Sequence, residues 1–367
     1  MRVVIAKKLL STVGGSEALA RGLATALLLR GHDVSLVGLR PPWRRPGIPE
    51  AAYRSRGDST IVESGLRFTF LGTRFSAIDS LFPTSLVRPA RFREAVAGAN
   101  LVHSIAREWA GQLERAARDE GAAFVETPLV HPGQPWSGAG SGDLRRYRRD
   151  DAVLALTEWE AAWYRERGVE QAFTTGAGAV LAPLPAVPAD PATVLFVGRK
   201  ERYKGYDALR AAAPLVWRVR PDARFVLIGQ TRFMSPRPLA DPRWDERGVV
   251  SEADKAEAYA RCTLFCMPSE HETFGLGYLE AWHAGKPVIA GGIPPVREIV
   301  REGQDGLHVA NSPGPIARAI LELLGDPERA RQMGARGRER AARWTWSAVA
   351  ERTEEAYRAA VQRNASR

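Results

Sequence analysis

The chain has 367 residues, of which 45% are apolar and 26% charged, with a formal net charge of +10. That length calls for two cores rather than one, and the composition excludes a disordered chain. No run of eighteen apolar residues is present, so the sequence predicts no membrane-spanning helix, while the charge alone leaves nucleic acid, an anionic membrane and phosphorylated substrates all open.

Residues 3–6 are apolar but too few for a signal peptide, so they read as a first strand and the expected location is cytoplasmic. A loop through Gly14 and Gly15 follows. Ser16 is the expected N-cap of a helix that carries Leu19, Leu23, Ala26 and Leu27 on one face and ends at Gly31. A strand over 33–38 completes a β-α-β unit. The Gly14–Gly15 turn resembles a phosphate cradle, yet it lacks both the dinucleotide fingerprint and the Lys-Ser/Thr of a Walker loop, and merely turning the chain is the alternative. Residues 40–60 read as a polar loop. Arg40, Trp43, Arg44 and Arg45 give it a basic, aromatic start suited to peripheral membrane contact or to an acidic acceptor, with plain solvation as the alternative.

Strands over 66–71, 101–104, 122–126 and 152–156 alternate with helices over 88–97, 107–120 and 143–150. His131 leaves the strand at 122–126 in a loop whose prolines fix its direction; a lone histidine there is ordinarily structural. His103 reads as core or cleft wall. Thr157 and Glu160 have the spacing of a capping box. Residues 182–192, rich in proline and alanine without periodicity, read as an interdomain linker.

A strand over 193–197 then ends in Gly198 and Arg199, with Lys204 and Gly205 five and six residues beyond Arg199. Arginine offers phosphate a fork and lysine a point charge, although a solvated basic loop is the alternative, with Lys200 and Arg202 as its solvated members. A strand over 223–229, a long loop over 230–247 and a turn at Val250 lead to a helix over 252–261. The strand at 263–267 stops at Pro268, and a helix over 276–284 stops at Gly285 before another strand at 287–290. Glu272 therefore lies in a strand-to-helix loop, and Glu280 about one turn into the helix. Free N–H groups at that helix start favour an anion, and Gly275 and Gly277 admit a close backbone approach. A helix cap and a solvated face residue are the bland readings of the two glutamates. Three amphipathic helices, 316–324, 327–342 and 347–360, close the chain. Cys262 and Cys266 read as plain core residues.

Glu272, Phe274, Gly275 and Glu280, followed by Gly285, Lys286, Pro287 and Val288 in a strand-loop-helix-strand setting, resemble the donor-site signature of the retaining GT-B glycosyltransferases, family four (glycosyl transferases group 1). The resemblance covers nearly the whole chain, tightly over 194–306 and loosely over 40–100. It implies an α/β GT-B fold: two Rossmann-like domains whose parallel sheets face across a cleft, with a C-terminal helix crossing back to the first. The domains would be 1–181 for the acceptor, 182–192 as linker, 193–345 for the nucleotide-sugar, and 346–367 as the returning helix. Arg199 and Lys204 would hold the diphosphate, Glu272 the transferred sugar, and Glu280 the ribose. Backbone at Phe274, Gly275 and Leu276 would assist Glu272, with Thr273 and Gly198 beside the donor. Val250 would lie at the base, Gly14 and Gly15 at the diphosphate, His131 at the sugar, and Gly291 and Gly292 near the donor.

The implied activity is retaining transfer from a nucleotide-sugar, a UDP-sugar ahead of GDP-mannose, to an acceptor hydroxyl. No Asp-x-Asp triplet occurs, so no metal or other cofactor is expected, and no nucleic-acid partner. A silent nucleotide-sugar binder, or a phosphorylase or epimerase on the same fold, are the alternatives.

Overall fold

The computed structural model describes all residues except 42, 45, 55–56, 74–77, 79–85, 133, 135–136, 180 and 232–235. The chain divides into two compact units, Met1–Gly178 with Trp346–Arg367, and Ala179–Thr345.

The first unit is built on eight strands: β1 (Arg2–Ala6), β2 (Asp33–Leu39), β3 (Ser59–Glu63), β4 (Leu66–Leu71), β5 (Leu101–Ile105), β6 (Ala123–Thr127), β7 (Ala152–Ala155) and β8 (Ala172–Thr174). Their order is β3-β4-β2-β1-β5-β6-β7-β8. Every pairing is parallel except β3 with β4. Alternation sends Val4, Val102 and Phe124 into a core with the helices Pro89–Val96 and Ala110–Asp119. The strand order reverses between β1 and β5, which places the loops after those strands where α/β sheets hold ligands.

The last helix, Trp346–Ala365, belongs to this unit. Its Trp346 ring fills the space beside Gly22 and Gly178, where a Cβ would come within 2.1 Å and 2.7 Å of it. Arg30 grips Glu354 with Nε and Nη2 at 2.6 Å and 2.9 Å, and His32 Nε2 stands 3.0 Å from the same carboxylate. Deeper in, His103 is core: Nδ1 lies 2.7 Å from the Tyr357 hydroxyl and Nε2 lies 2.7 Å from Thr127 Oγ1. Burial lowers the His103 pKa to about 3. The unfolded chain, at about 6.5, therefore binds a proton that the folded state excludes. Stability is full above pH 6.5 and falls as pH drops from there toward 3, by up to about 1.4 kcal/mol per pH unit from this residue. His103→Gln is expected to flatten the slope of stability between pH 4 and 6 in urea unfolding; an unchanged slope contradicts the assignment.

The second unit is fully parallel, with β9 (Thr193–Val197), β10 (Arg224–Ile228), β11 (Trp244–Arg247), β12 (Leu264–Met267), β13 (Val288–Gly291) and β14 (Gly306–Val309) in the order β11-β10-β9-β12-β13-β14. Its order reverses between β9 and β12. The helices Tyr206–Trp217 and Pro313–Gly325 pack on each other, as do Leu276–His283 and Pro327–Ala341. Gly337 admits the Trp282 ring, whose Nε1 donates to Asp305 O at 2.9 Å. Residues 182–192 carry no helix or strand, and Asp190 is tied to this unit through Arg261 and Thr263.

Several expectations are corrected. Ser16 is not the cap: the helix Gly15–Leu29 has Gly14 at its N-cap, with φ 127°, and the Ser16 hydroxyl donates to Glu17 instead. Part of the 40–60 loop folds as the short helix Ala51–Arg54, and β3 returns beside β4 through Ser64 and Gly65, both at positive φ. The 230–247 loop ends in β11, and β8 and β14 were not foreseen. Thr157 does cap its helix, accepting from Glu160 N at 3.2 Å, but the Glu160 carboxylate accepts from Leu156 N rather than from Thr157. Of the basic stretch at 40–45, Pro42 and Arg45 lie outside the described residues; Trp43 is 49% exposed and Arg44 pairs with Glu50 at 2.8 Å. Among the described residues no helix is long and apolar enough to cross a membrane. Cys262 and Cys266 are buried thiols, and burial pushes Cys262 up to about 12.

Candidate active site

The loops after β9 and β12 meet at the switch point of the second sheet, and glycine makes the meeting possible. Gly205 sits at φ 83°, and a Cβ there would lie 2.5 Å from Pro268 Cγ. Glu270 N then donates to Tyr203 O at 2.7 Å, locking one loop to the other. This contact brings Lys204 onto Glu272: the ammonium donates to Oε1, and Ser269 Oγ donates to the same oxygen at 3.3 Å. Both side chains are largely shielded, at 15% and 9% exposure. Arg199, half exposed, donates to the Tyr203 hydroxyl and stands 3.8 Å from Glu201. Tyr203 lies under both cations, 5.5 Å from the Arg199 guanidinium and 5.3 Å from Lys204 Nζ. Burial raises its phenol pKa, so it remains a neutral hydroxyl.

Gly198 is held by its N–H to Ile228 O at 2.9 Å, and Gly229 presses on it so closely that a Cβ there would meet Gly198 O at 2.0 Å. Lys200 corrects an expectation. It is buried rather than solvated, pairing with Glu246 at 3.1 Å and donating to Arg247 O at 2.6 Å. Its role is to fasten the loop after β9 to β11.

The helix Leu276–His283 begins at Gly275, whose φ is 93°. Thr273 and Leu276 are half-buried, and Phe274 is buried edge-on against Trp344. Gly275 and Gly277 have an internal reason beside any ligand: a Cβ at Gly277 would come 2.9 Å from the Phe265 ring, and one at Gly275 would meet Tyr278 at 2.4 Å. Glu280 faces inward. It accepts from Lys255 Nζ at 3.0 Å and from the Tyr259 hydroxyl at 2.9 Å. Burial raises its pKa above the usual carboxylate range, while Lys255 and Tyr259 pull it down. Burial likewise opposes the charge on Lys255, but Glu280 and Glu252 outweigh it and its pKa is raised. Val250 is half-buried just before the helix Glu252–Arg261 that carries Lys255 and Tyr259. Sequence reading missed both residues; their i, i+4 spacing on one helix is the available signal.

Gly291 turns out to be a packing glycine. A Cβ there would meet Ser269 O at 1.9 Å, so Gly291→Ala must displace the loop that leads to Glu272. We expect a loss of about 1–3 kcal/mol in stability, read as a lowered Tm, together with weaker donor binding. A variant with wild-type Tm and activity contradicts the contact.

Arg199, Lys204 and Glu272 are thus brought together, with Gly198 and the Phe274–Leu276 helix start beside them, and Glu280 is set on the following helix. Gly14, Gly15 and His131 belong to the other unit. There Gly14 lies under the Glu17 carboxylate, and the His131 carbonyl accepts from Gln134 N at 3.0 Å and Ser137 Oγ at 2.6 Å. Among the described residues no group of three His, Cys, Asp or Glu side chains could hold a metal ion.

The family model of the glycosyl transferases group 1 matches residues 185–340. A D-inositol 3-phosphate glycosyltransferase of Kineococcus radiotolerans is 36% identical to this chain, over 96% of it and 92% of the relative. The chain belongs to the group 1 glycosyltransferases. Shorter matches include an alpha-maltose-1-phosphate synthase of Mycolicibacterium smegmatis, 34% identical over 45% of this chain and 47% of that protein. Another is the D-inositol 3-phosphate glycosyltransferase of Thermobispora bispora, 34% identical over 48% and 45%. Among solved structures, sucrose-phosphate synthase from Thermosynechococcus elongatus superposes with a TM-score of 0.75 at 20% identity, covering 97% of this chain and 98% of that one. Anabaena HepE in complex with UDP and glucose gives 0.71 at 16% identity, with the same coverage. This group 1 enzyme therefore has the GT-B fold, with two parallel-sheet α/β domains.

Proposed function

We propose that this glycosyltransferase moves a sugar from a nucleotide-sugar to an acceptor hydroxyl with retention at the anomeric carbon, using fixed cations in place of a metal. The observation that carries the reading is the Lys204–Glu272 pair at the switch point of the second sheet, with Arg199 beside it. It sets a carboxylate and two cations side by side, the complement of a sugar joined to a diphosphate. Glu272 accepts hydrogen bonds from sugar hydroxyls, supported by backbone N–H at Phe274, Gly275 and Leu276, with Thr273 and Gly198 lining the same place. Glu280 accepts from the ribose, and backbone at Val250 lies toward the base.

As the bond from the anomeric carbon to the diphosphate breaks, charge grows on the leaving oxygen, and Arg199 and Lys204 stabilise it. The acceptor oxygen bonds to that carbon on the same face, and its proton passes to the leaving phosphate oxygen. No covalent enzyme intermediate forms. UDP-sugars are favoured, since the Anabaena neighbour is a complex with UDP, and GDP-mannose is the second donor to try. The name of the Kineococcus relative makes D-inositol 3-phosphate the first acceptor to try.

The test is turnover of UDP-glucose, UDP-N-acetylglucosamine and GDP-mannose with EDTA present, followed by NMR of the anomeric coupling in the product. An α-linked product formed at an undiminished rate is expected. A β-linked product overturns retention, and loss of activity with EDTA overturns metal independence.

A further inference from the structure

Arg199 is half exposed. A long side chain in that position ordinarily samples many rotamers, and a ligand that uses it must order it first. Here the ordering is built in. Arg199 Nη2 donates to the Tyr203 hydroxyl, and the ring of the same tyrosine lies 5.5 Å from the guanidinium carbon.

Tyr203 can serve as a fixed point because its turn is fastened on several sides. It lies in the single 3₁₀ turn Arg202–Lys204, closed by Lys204 N donating to Glu201 O at 3.0 Å. The Tyr203 carbonyl accepts from Glu270 N at 2.7 Å, and the Arg202 carbonyl accepts from Asn311 Nδ2 at 3.1 Å. These two bonds tie the turn to the loops after β12 and β14. The Tyr203 ring stands beside that of His271, with centroids 6.1 Å apart.

Glu201 is the rival for Arg199. It lies two residues further on, and its nearer oxygen is 3.8 Å from Arg199 Nη1. That is too long for a hydrogen bond, yet a small rotation would close it. The fork that grips a phosphate is the fork that grips a carboxylate, so a closed Arg199–Glu201 pair would compete with a diphosphate. The Tyr203 hydroxyl stands in the way. A hydroxyl accepts and donates at once: this one accepts from Arg199 and donates to Glu201. Phenylalanine would keep the ring beneath Arg199 and Lys204 but could do neither. A direct ion pair would order the arginine equally well, at the cost of occupying its fork; the hydroxyl orders it and leaves the fork open.

We propose that Tyr203 is a positioning residue for Arg199, its hydroxyl separating the guanidinium from Glu201 and holding it ready for the diphosphate. Naming the diphosphate rests on the nucleotide-sugar reading above; the separation itself does not.

The test compares wild type, Tyr203→Phe and Tyr203→Phe/Glu201→Gln by ligand-free crystal structures and by calorimetric titration of UDP. In Tyr203→Phe, Arg199 is expected to close on Glu201 to about 2.9 Å. UDP should bind about three- to fivefold more weakly, the scale of an exposed ion pair that must open first. In the double variant no carboxylate competes, and UDP affinity should return to about the wild-type value. A tyrosine that merely supported the fold would not be rescued by a change at Glu201. If Tyr203→Phe lowers the Tm, the rescue still decides, because the double variant lacks the same hydroxyl. A wild type that binds no UDP sinks the nucleotide-sugar reading alone, since the ligand-free structures still judge the separation. The proposal is overturned if Arg199 stays as far from Glu201 in Tyr203→Phe as in wild type. It is equally overturned if UDP binds Tyr203→Phe as tightly as wild type, or if Glu201→Gln does not restore a weakened affinity.

Discussion

Lys204→Ala is expected to lower turnover by about 10²–10³-fold while the donor KM moves far less. Removing one fixed charge aimed at a developing negative charge costs on this scale, and the loss falls on kcat because the leaving diphosphate carries more charge in the transition state than in the bound donor. The structure adds a second expectation. Glu272 is only 9% exposed, and without Lys204 its Oε1 retains the Ser269 hydroxyl. A stability loss of about 1–3 kcal/mol accompanies the kinetic one. Arg199→Ala separates the two effects, because Arg199 is half exposed and its neighbouring carboxylate, Glu201 at 3.8 Å, keeps a hydrogen bond with Tyr203. Its turnover should fall in the same direction with an unchanged Tm. Kinetics and thermal unfolding of both variants check this; wild-type kcat in both would remove the electrostatic role assigned to them.

Glu280→Ala is expected to be the most damaging substitution for stability in the second domain. It leaves the largely buried Lys255 with only the half-exposed Glu252 as counter-charge and takes the acceptor from the Tyr259 hydroxyl. Breaking one side of a buried ion pair costs about 3–5 kcal/mol. At about 2–4 °C per kcal/mol for a domain of this size, the Tm should drop by roughly 6–20 °C. Glu280→Gln keeps an acceptor for Tyr259 but loses the charge, and should fall between. In both, donor affinity is expected to weaken while kcat of saturated enzyme changes less, since the ribose contact proposed for Glu280 would be made equally in ground and transition states. A calorimetric scan with donor titrations gives both numbers. A Glu280→Ala protein with wild-type Tm would contradict this cost and mean that Glu252, 2.8 Å from Lys255 Nζ, suffices as its counter-charge.

The site was legible where the chemistry lies within one short stretch. Glu272 and Glu280 share a loop and a helix, and Arg199 and Lys204 share the loop above β9; the likeness of both stretches to the group 1 signature, more than type or spacing alone, singles them out as candidates. What brings the two stretches together, Gly205 against Pro268, is a contact between residues far apart in the chain, and glycine looks alike whether it admits a ligand or a neighbouring loop. Gly277 and Gly291 make the same point: the Phe265 ring and the Ser269 carbonyl occupy the space where a Cβ would be. Lys200 reads as solvated in a basic run because its partner, Glu246, lies on β11, a four-residue strand with little apolar content. β3 was hidden for a similar reason, being an edge strand with mostly exposed side chains. The capping role of Ser16 passed to Gly14, whose backbone conformation no composition rule reveals. His103 and Tyr357 meet across 254 residues, a pairing that only the folded helix Trp346–Ala365 discloses.

The most direct test is calorimetric titration of UDP and GDP into wild type and into the Arg199→Ala/Lys204→Ala double variant. We predict saturable one-site binding of one of these nucleotides to wild type, weakened at least tenfold in the double variant. Equal affinity in the two proteins, or binding of neither nucleotide to wild type, would contradict a diphosphate held at the Lys204–Glu272 pair.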